Sequence, residues 1–219
     1  LPTHSHADHI GGFEEIALVN RYITNSLNKP KMIIVEEYQD LLWAKSLSGG
    51  IEFCETKEGK PLQLTDFFDI LRPKETVILG QKTWLYQHGP IDLVFMRTRH
   101  IPDSATSIDE AQWCSGILVN NRVWISGDTM FDRDYPTSFS EISEVMFHDC
   151  QMFKGGVHAS YSELMTLPAE VRSKMYLYHY NDNWDNPKTW VGTSDNFTGD
   201  PLQDGFLGWA QQQVAYDFS

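Results

Sequence analysis

Four candidate metal ligands fall within six residues near the start of the chain: His4, His6, Asp8 and His9, in the run Thr3-His4-Ser5-His6-Ala7-Asp8-His9. Only eight histidines occur in all 219 residues, so a solvated loop that collected them by chance is a poor account of this density. The run is too polar and too dense to serve as core, and the fold has to present it at a site. Imidazole nitrogens and carboxylate oxygens are the donors that borderline-soft dications such as zinc take. Alternation along one tight loop lets two side chains face one ion and the next pair face a second. A chain of this length buries a large core without staples, so a metal here reads as catalytic rather than structural.

The balance of 30 acidic against 17 basic residues, a net charge of −13, repels long nucleic acid on average, because that affinity rests on Lys and Arg neutralising phosphates. A small-molecule substrate is expected instead. Cys54, Cys114 and Cys150 are sparse and widely spaced, which suits reduced thiols and a cytoplasmic setting. No stretch approaches the roughly 18 apolar residues of a membrane span, and no membrane partner is expected. Asn196-Phe197-Thr198 matches a glycosylation acceptor, a tripeptide common by chance.

One hydrolase domain over residues 1–219 is the simplest organisation. Apolar residues Phe13, Ile16, Ala17, Val19, Tyr22, Ile23 and Leu27 follow a helical spacing. A short strand is expected over Met32–Val35, then a helix over Tyr38–Leu47 that stops at Gly49-Gly50. Strands are expected over Thr76–Leu79, Thr83–Tyr86, Ile91–Met96, Gly116–Val119, Arg122–Ser126, Glu144–His148, Met175–Tyr178 and Gln212–Tyr216. Asn120-Asn121 suits a hairpin turn, since Asn tolerates positive φ. Ser160–Leu164 and Pro168–Lys174 look helical. The order is that of an α/β fold.

Three later motifs follow strands, where sites are usually placed: Arg99-His100-Ile101-Pro102, Ser126-Gly127-Asp128-Thr129, and His179 after Met175–Tyr178. With the opening run, they resemble the metallo-β-lactamase superfamily in its tRNase Z-like phosphodiesterase branch, over nearly the whole chain. The resemblance implies a four-layer αββα sandwich. It also implies a first metal held by His4, His6 and His100, a second held by Asp8, His9 and His179, and Asp128 bridging the two. Two zinc ions are implied, with manganese or iron as the other metals such donors accept. Independently of the family, two neighbouring dications need anionic ligands to offset their repulsion, and Asp8 and Asp128 are the candidates. The alternative for Asp128 is a turn cap beside Gly127. Relatives place several strands before the first motif. Here only Leu1-Pro2 precede it, so the chain is expected to lack the usual N-terminal strands, or to have its sheet completed by another segment or chain.

His158, in Gly155-Gly156-Val157-His158-Ala159-Ser160, matches a relative's histidine that protonates the leaving group or grips the phosphate. A helix N-terminus at Ser160 and Ser162 would favour an anion, and simple helix capping is the rival role for this segment. Asp149 either orients His158 or a ligand histidine, or is a strand-end charge. His148 should point to the opposite face from Asp149, and His88 reads as a turn residue. Tyr161, Tyr180 and Trp184 either stack a base or pack.

The superfamily hosts many chemistries, so fold alone does not choose among them. Asp8, Asp128 and the accessory His158 favour phosphate esters. The stretches Val145–Gln151, Gly155–Ser160 and Tyr178-His179-Tyr180 look most like the anti-Pycsar group. The resemblance implies a homodimer that hydrolyses cyclic mononucleotides such as cCMP and cUMP. The alternatives are a tRNase Z-like RNA endonuclease, a lactonase or other ester hydrolase, and an inactive metal-binding protein that acts by interaction.

Overall fold

The computed structural model describes residues 1–24, 28–190 and 197–218. Leu27 and Asn196, named above in the helical spacing and the glycosylation tripeptide, lie outside the described residues. The chain divides into two compact units, Leu1–His88 and Gly89–Ser219.

The first unit opens with α1 (Ala7–Ile10) and α2 (Gly12–Leu18), followed by a π-type turn over Val19–Ile23. The run of candidate metal ligands is therefore not one loop. His4 and His6 lie in extended or irregular chain, while Asp8 and His9 sit in the first turn of α1. Strand β1 (Lys31–Ile33) leads to α3 (Glu36–Leu42), a π-type turn over Trp43–Leu47, and α4 (Ser48–Ile51). The expected stop at Gly49-Gly50 does not occur. The Glu14 carboxylate fills the space into which a Cβ on Gly50 would project, so this glycine reports close packing rather than a helix end. A minor hairpin, β2 (Thr56–Lys57) with β3 (Lys60–Pro61), precedes α5 (Leu64–Phe67). β4 (Asp69–Leu71) then pairs parallel to β1. Met32, Ile34, Tyr38, Leu42, Ile51, Leu62 and Phe67 form the buried interior of this unit. β5 (Lys74–Ile78) and β6 (Gln81–His88) close it as an antiparallel hairpin turning at Leu79-Gly80, both at positive φ.

The second unit is built on β7 (Ile91–Arg97), β8 (Ser115–Val119), β9 (Val123–Ile125), β10 (Val145–Asp149), β11 (Met175–Tyr178) and β12 (Gly208–Trp209), adjacent in that order. β7, β8 and β9 are antiparallel, and β9 to β12 run parallel. The hairpin joining β8 and β9 turns at Asn120-Asn121, both at φ 52°. That is the conformation a right-twisted two-residue turn requires and Asn tolerates. Parallel neighbours need crossovers, and here these carry α6 (Asp134–Ser140), then α7 (Tyr161–Leu164) and α8 (Ala169–Arg172). Trp124 of β9 is 1% exposed and stacks on Phe139 of α6 with ring centroids 5.6 Å apart. His148 lies on that same face, edge-on to Trp124, while Asp149 points the other way.

The last strand expected from sequence, Gln212–Tyr216, does not form. Those residues are irregular, and Gln213 adopts positive φ. Tyr216 instead packs on Phe147 and Tyr176, so the apolar alternation there reflects rings laid over a sheet face rather than strand pairing. Among the described residues, no helix is long and apolar enough to cross a membrane.

Candidate metal centre

In the first unit, the buried His4 ring has its centroid 4.6 Å from that of His6 and 4.2 Å from that of His9. Thr3 lies between two of them, its Oγ1 3.3 Å from His4 Nδ1 and 3.2 Å from His9 Nδ1. A hydroxyl oxygen has two lone pairs and can accept from both Nδ1–H groups. With both rings donating to Thr3, Nε2 of each is the nitrogen left to serve as a ligand atom. Asp8 Oδ2 stands 3.4 Å from His9 Nε2. Ser5 ties the run to α3 through a 2.9 Å hydrogen bond with the Tyr38 hydroxyl. Imidazoles packed this closely would repel one another as cations, whereas neutral rings crowded together suit ligands of a shared charge.

In the second unit, Asp128 is 1% exposed, and Oδ2 has His100 Nε2 at 3.9 Å and His179 Nε2 at 3.7 Å. These separations are too long for hydrogen bonds. They match donors around one ion, where metal–ligand bonds near 2.0–2.2 Å put neighbouring donor atoms roughly 3–4 Å apart. The other nitrogen of each ring is held. His100 Nδ1–H donates to the Val157 carbonyl at 2.9 Å, and His179 Nδ1 meets Asp149 Oδ1 at 3.2 Å. A ring anchored through Nδ1 presents Nε2 in a fixed direction, which is how ligating histidines are usually oriented.

The strand ends explain this placement. Asp128 follows β9 through Gly127 at φ 64°, where a Cβ would lie 2.4 Å from the Ser115 carbonyl oxygen. The Asp128 carbonyl accepts from Thr98 Oγ1 at 3.3 Å and from Cys114 Sγ–H at 3.1 Å. Burial pushes the Cys114 thiol up to about 12 and the Cys150 thiol well above its ordinary range. Both therefore stay protonated near neutrality and are poor candidates for metal thiolates.

Asp149 does more than either expectation for it. Fully buried, it accepts from His158 Nδ1 at 2.7 Å and from Thr129 N–H at 2.9 Å through Oδ2, while Oδ1 meets His179. Asp149, His158 and His179 together offer donor atoms within 4.8 Å of one another. The His158 ring stands beside His100 and His179, at centroid distances of 4.8 and 4.9 Å. Its loop turns through Gly155 and Gly156, at φ 90° and 88°.

Two alternatives left open by the sequence are decided here. Ser160 does not present an anion site. It is buried, it caps α7, and its hydroxyl donates to Glu163 Oε2 at 2.6 Å, which puts a carboxylate where an anion would have to sit. Tyr161 is 1% exposed, donates to Asp204 at 2.7 Å and packs among Trp190, Phe206 and Trp209, so it is core rather than a stacking surface. Sequence reasoning missed Thr3 as the shared acceptor, although its place directly before the histidine run was a usable signal. It also missed the Val157 carbonyl, for which a backbone group leaves no signal.

The structure thus gathers His4, His6, Asp8 and His9 in one unit, and His100, Asp128, Asp149, His158 and His179 in the other. Residues 1–215 match the family described as anti-Pycsar protein Apyc1. This chain belongs to the anti-Pycsar Apyc1 family. Its anti-Pycsar relatives include that of Bacillus phage BSP38, 34% identical over 197 residues, a match spanning 88% of this chain and 72% of the phage protein. Another, from Paenibacillus harenae, is 35% identical over 188 residues, spanning 84% of this chain and 69% of that one.

Among solved structures, this anti-Pycsar chain is similar to YhfI from Bacillus subtilis, a metallo-β-lactamase fold protein. The TM-score is 0.53 at 14% identity, covering 87% of this chain and 70% of YhfI. It is also similar to a diphosphatase from the PhnP family, with a TM-score of 0.51 at 12% identity, covering 88% of this chain and 66% of that one. These likenesses establish the metallo-β-lactamase fold for the anti-Pycsar chain.

Proposed function

We propose that this chain is a two-metal phosphodiesterase acting on a small cyclic nucleotide, with cCMP and cUMP as the first substrates to test. The observation that carries the proposal is the buried Asp128 carboxylate facing the Nε2 atoms of His100 and His179, each ring anchored through Nδ1. Family membership supports it. We assign His4, His6 and His100 to one zinc, Asp8, His9 and His179 to the other, and Asp128 to both. The donor set fits, because all are imidazole nitrogens or carboxylate oxygens. Manganese or iron would be accepted by the same atoms.

When bound, such an ion pair supplies Lewis acidity and neutralises charge as a phosphodiester is attacked. The chain's own groups do the rest. His158 keeps Nδ1–H on Asp149, which leaves Nε2 as the atom that carries a proton to the departing ribose oxygen. The Asp149 carboxylate, shared with His179, holds that ring at a constant angle. Asp8 adds the second acidic ligand, so that two carboxylates offset the two ions. A net charge of −13 suits a small substrate over RNA. A cytoplasmic homodimer is the setting we propose, in keeping with the free thiols of Cys54, Cys114 and Cys150 and with the family resemblance.

The test is turnover of cCMP, cUMP, bis-p-nitrophenyl phosphate and a lactone by zinc- or manganese-loaded protein, beside Asp128→Ala. Cyclic nucleotide hydrolysis that Asp128→Ala abolishes is the expected result. Lactone turnover with no phosphodiester turnover would overturn it.

A further inference from the structure

His100 and Asp128 are brought together although their strands do not pair. His100 lies beyond the end of β7 and Asp128 beyond the end of β9, and β8 runs between the two. Two strand spacings set those ends about 10 Å apart, and no ladder of hydrogen bonds joins β7 to β9 directly. Yet His100 Nε2 stands 3.9 Å from Asp128 Oδ2. Contacts beyond the sheet draw the two segments together, and Arg99 makes several of them. Its carbonyl accepts from Met130 N–H at 2.7 Å and from Thr129 Oγ1–H at 3.1 Å. Its guanidinium grips both segments at once. Nη1 donates to the Ala105 and Thr106 carbonyls at 3.2 and 3.3 Å, and Nη2 donates to the Phe131 carbonyl at 3.1 Å. Ala105 and Thr106 follow His100, whereas Phe131 follows Asp128. Ala105, Ala111 and Met130 pack as a small buried cluster that spans the same two segments. Arg97 offers a contrast two residues earlier. Its Nη2 donates to the carbonyls of Ile108, Ala111 and Gln112 at 2.8, 2.9 and 3.4 Å, all in the stretch between β7 and β8. By these bonds Arg97 stiffens one segment, while Arg99 joins two.

We infer that Arg99 is a positioning residue for the metal centre, whose guanidinium sets the separation of His100 and Asp128 by gripping the main chain that follows each. The inference rests on the metal assignment of the proposed phosphodiesterase, and it deepens that reading. A guanidinium presents five N–H donors in a rigid plane, so its two ends keep two partners at a fixed spacing. An ammonium on a flexible stem is a point charge and cannot do so. Donors held near their final geometry bind an ion more tightly than donors that must first be gathered. Arg99 does this without touching an ion, through the backbone on either side of the pair.

The experiment titrates cobalt(II) into metal-free wild type, Arg99→Lys and Arg97→Lys, following the visible d–d absorption, whose position and strength report coordination geometry. Arg99→Lys should weaken cobalt affinity about tenfold and alter the band. Arg97→Lys should keep the wild-type affinity and band, although urea titrations of the metal-free proteins should show both variants destabilised. A role in folding alone would move affinity together with stability. Equal affinities and bands in wild type and Arg99→Lys, or equal losses in the two variants, would therefore overturn the inference. Arg99→Gln, whose amide reaches one segment but not both, takes the place of Arg99→Lys if that variant does not fold. Wild-type protein that takes up no cobalt would overturn the metal assignment and this inference with it. The expected cobalt pattern without phosphodiester turnover would support Arg99 and sink the enzymatic reading alone.

Discussion

The Asp149 carboxylate, fully buried, accepts the Nδ1 proton of His158 at 2.7 Å. Its other oxygen lies 3.2 Å from His179 Nδ1, so one carboxylate sets the angles of two imidazoles with different proposed tasks.

Replacing Asp149 with Asn should therefore affect both tasks at once. Activity should fall about 10- to 100-fold, with a loss of similar size in affinity for the metal assigned to His179. Kinetics and competition with a chromophoric chelator measure the two effects. No change in either would reduce Asp149 to a strand-end charge.

His158→Ala should separate from that pattern. The kcat for a cyclic nucleotide should drop by about 10²–10⁴, because the alkoxide leaving group then departs without its proton. Metal content, read by elemental analysis, should stay at the wild-type level. With p-nitrophenolate as leaving group the loss should be far smaller, since that anion needs no proton. An equal loss on both substrates would argue against a proton-donor role.

Thr3→Val keeps the shape and removes the oxygen that faces His4 and His9. Metal affinity should weaken by about tenfold, and Thr3→Ser should recover it. Isothermal titration with zinc distinguishes the pair, and equal affinity in all three proteins would count against the shared acceptor.

His148 offers a pH test away from the proposed metal donors. Burial lowers its folded-state pKa below the ordinary 6.5. The unfolded chain then binds the proton first, so stability is lost as pH falls below 6.5. The slope is at most roughly 1.4 kcal/mol per pH unit from this one group. His148→Phe, packed against Trp124, should lose less stability between pH 7 and pH 5 than wild type in urea titrations. Parallel pH slopes would remove His148 from the account.

The elements easiest to read in the sequence were those whose signals are local. Met175–Tyr178 was expected at the boundaries it has, because Lys174 and His179 bracket four apolar residues. Asn120-Asn121 named its own turn. The candidate ligands were legible because histidine is scarce in this chain and clustered. What escaped was set by partners distant in sequence. Gly50 looked like a helix stop until Glu14 was seen against it. Tyr161 stood between stacking and packing until Asp204 and three aromatic rings decided for packing. The Gln212–Tyr216 alternation had the right period for a strand but no neighbour to pair with, and its tyrosine lies on Phe147 instead.

The approach of β8 to the turn before Asp128 has a consequence for how this chain can vary. A Cβ at Gly127 would meet the Ser115 carbonyl, and one at Gly116 would lie 2.8 Å from the Ile125 and Ser126 carbonyl oxygens. In each case the obstruction is main chain, which no change of rotamer relieves. A saturation library over positions 116 and 127, selected for folded protein, should return glycine at both, whatever substrate the population is asked to accept. The freedom to evolve new specificity lies elsewhere, in side chains that meet only other side chains.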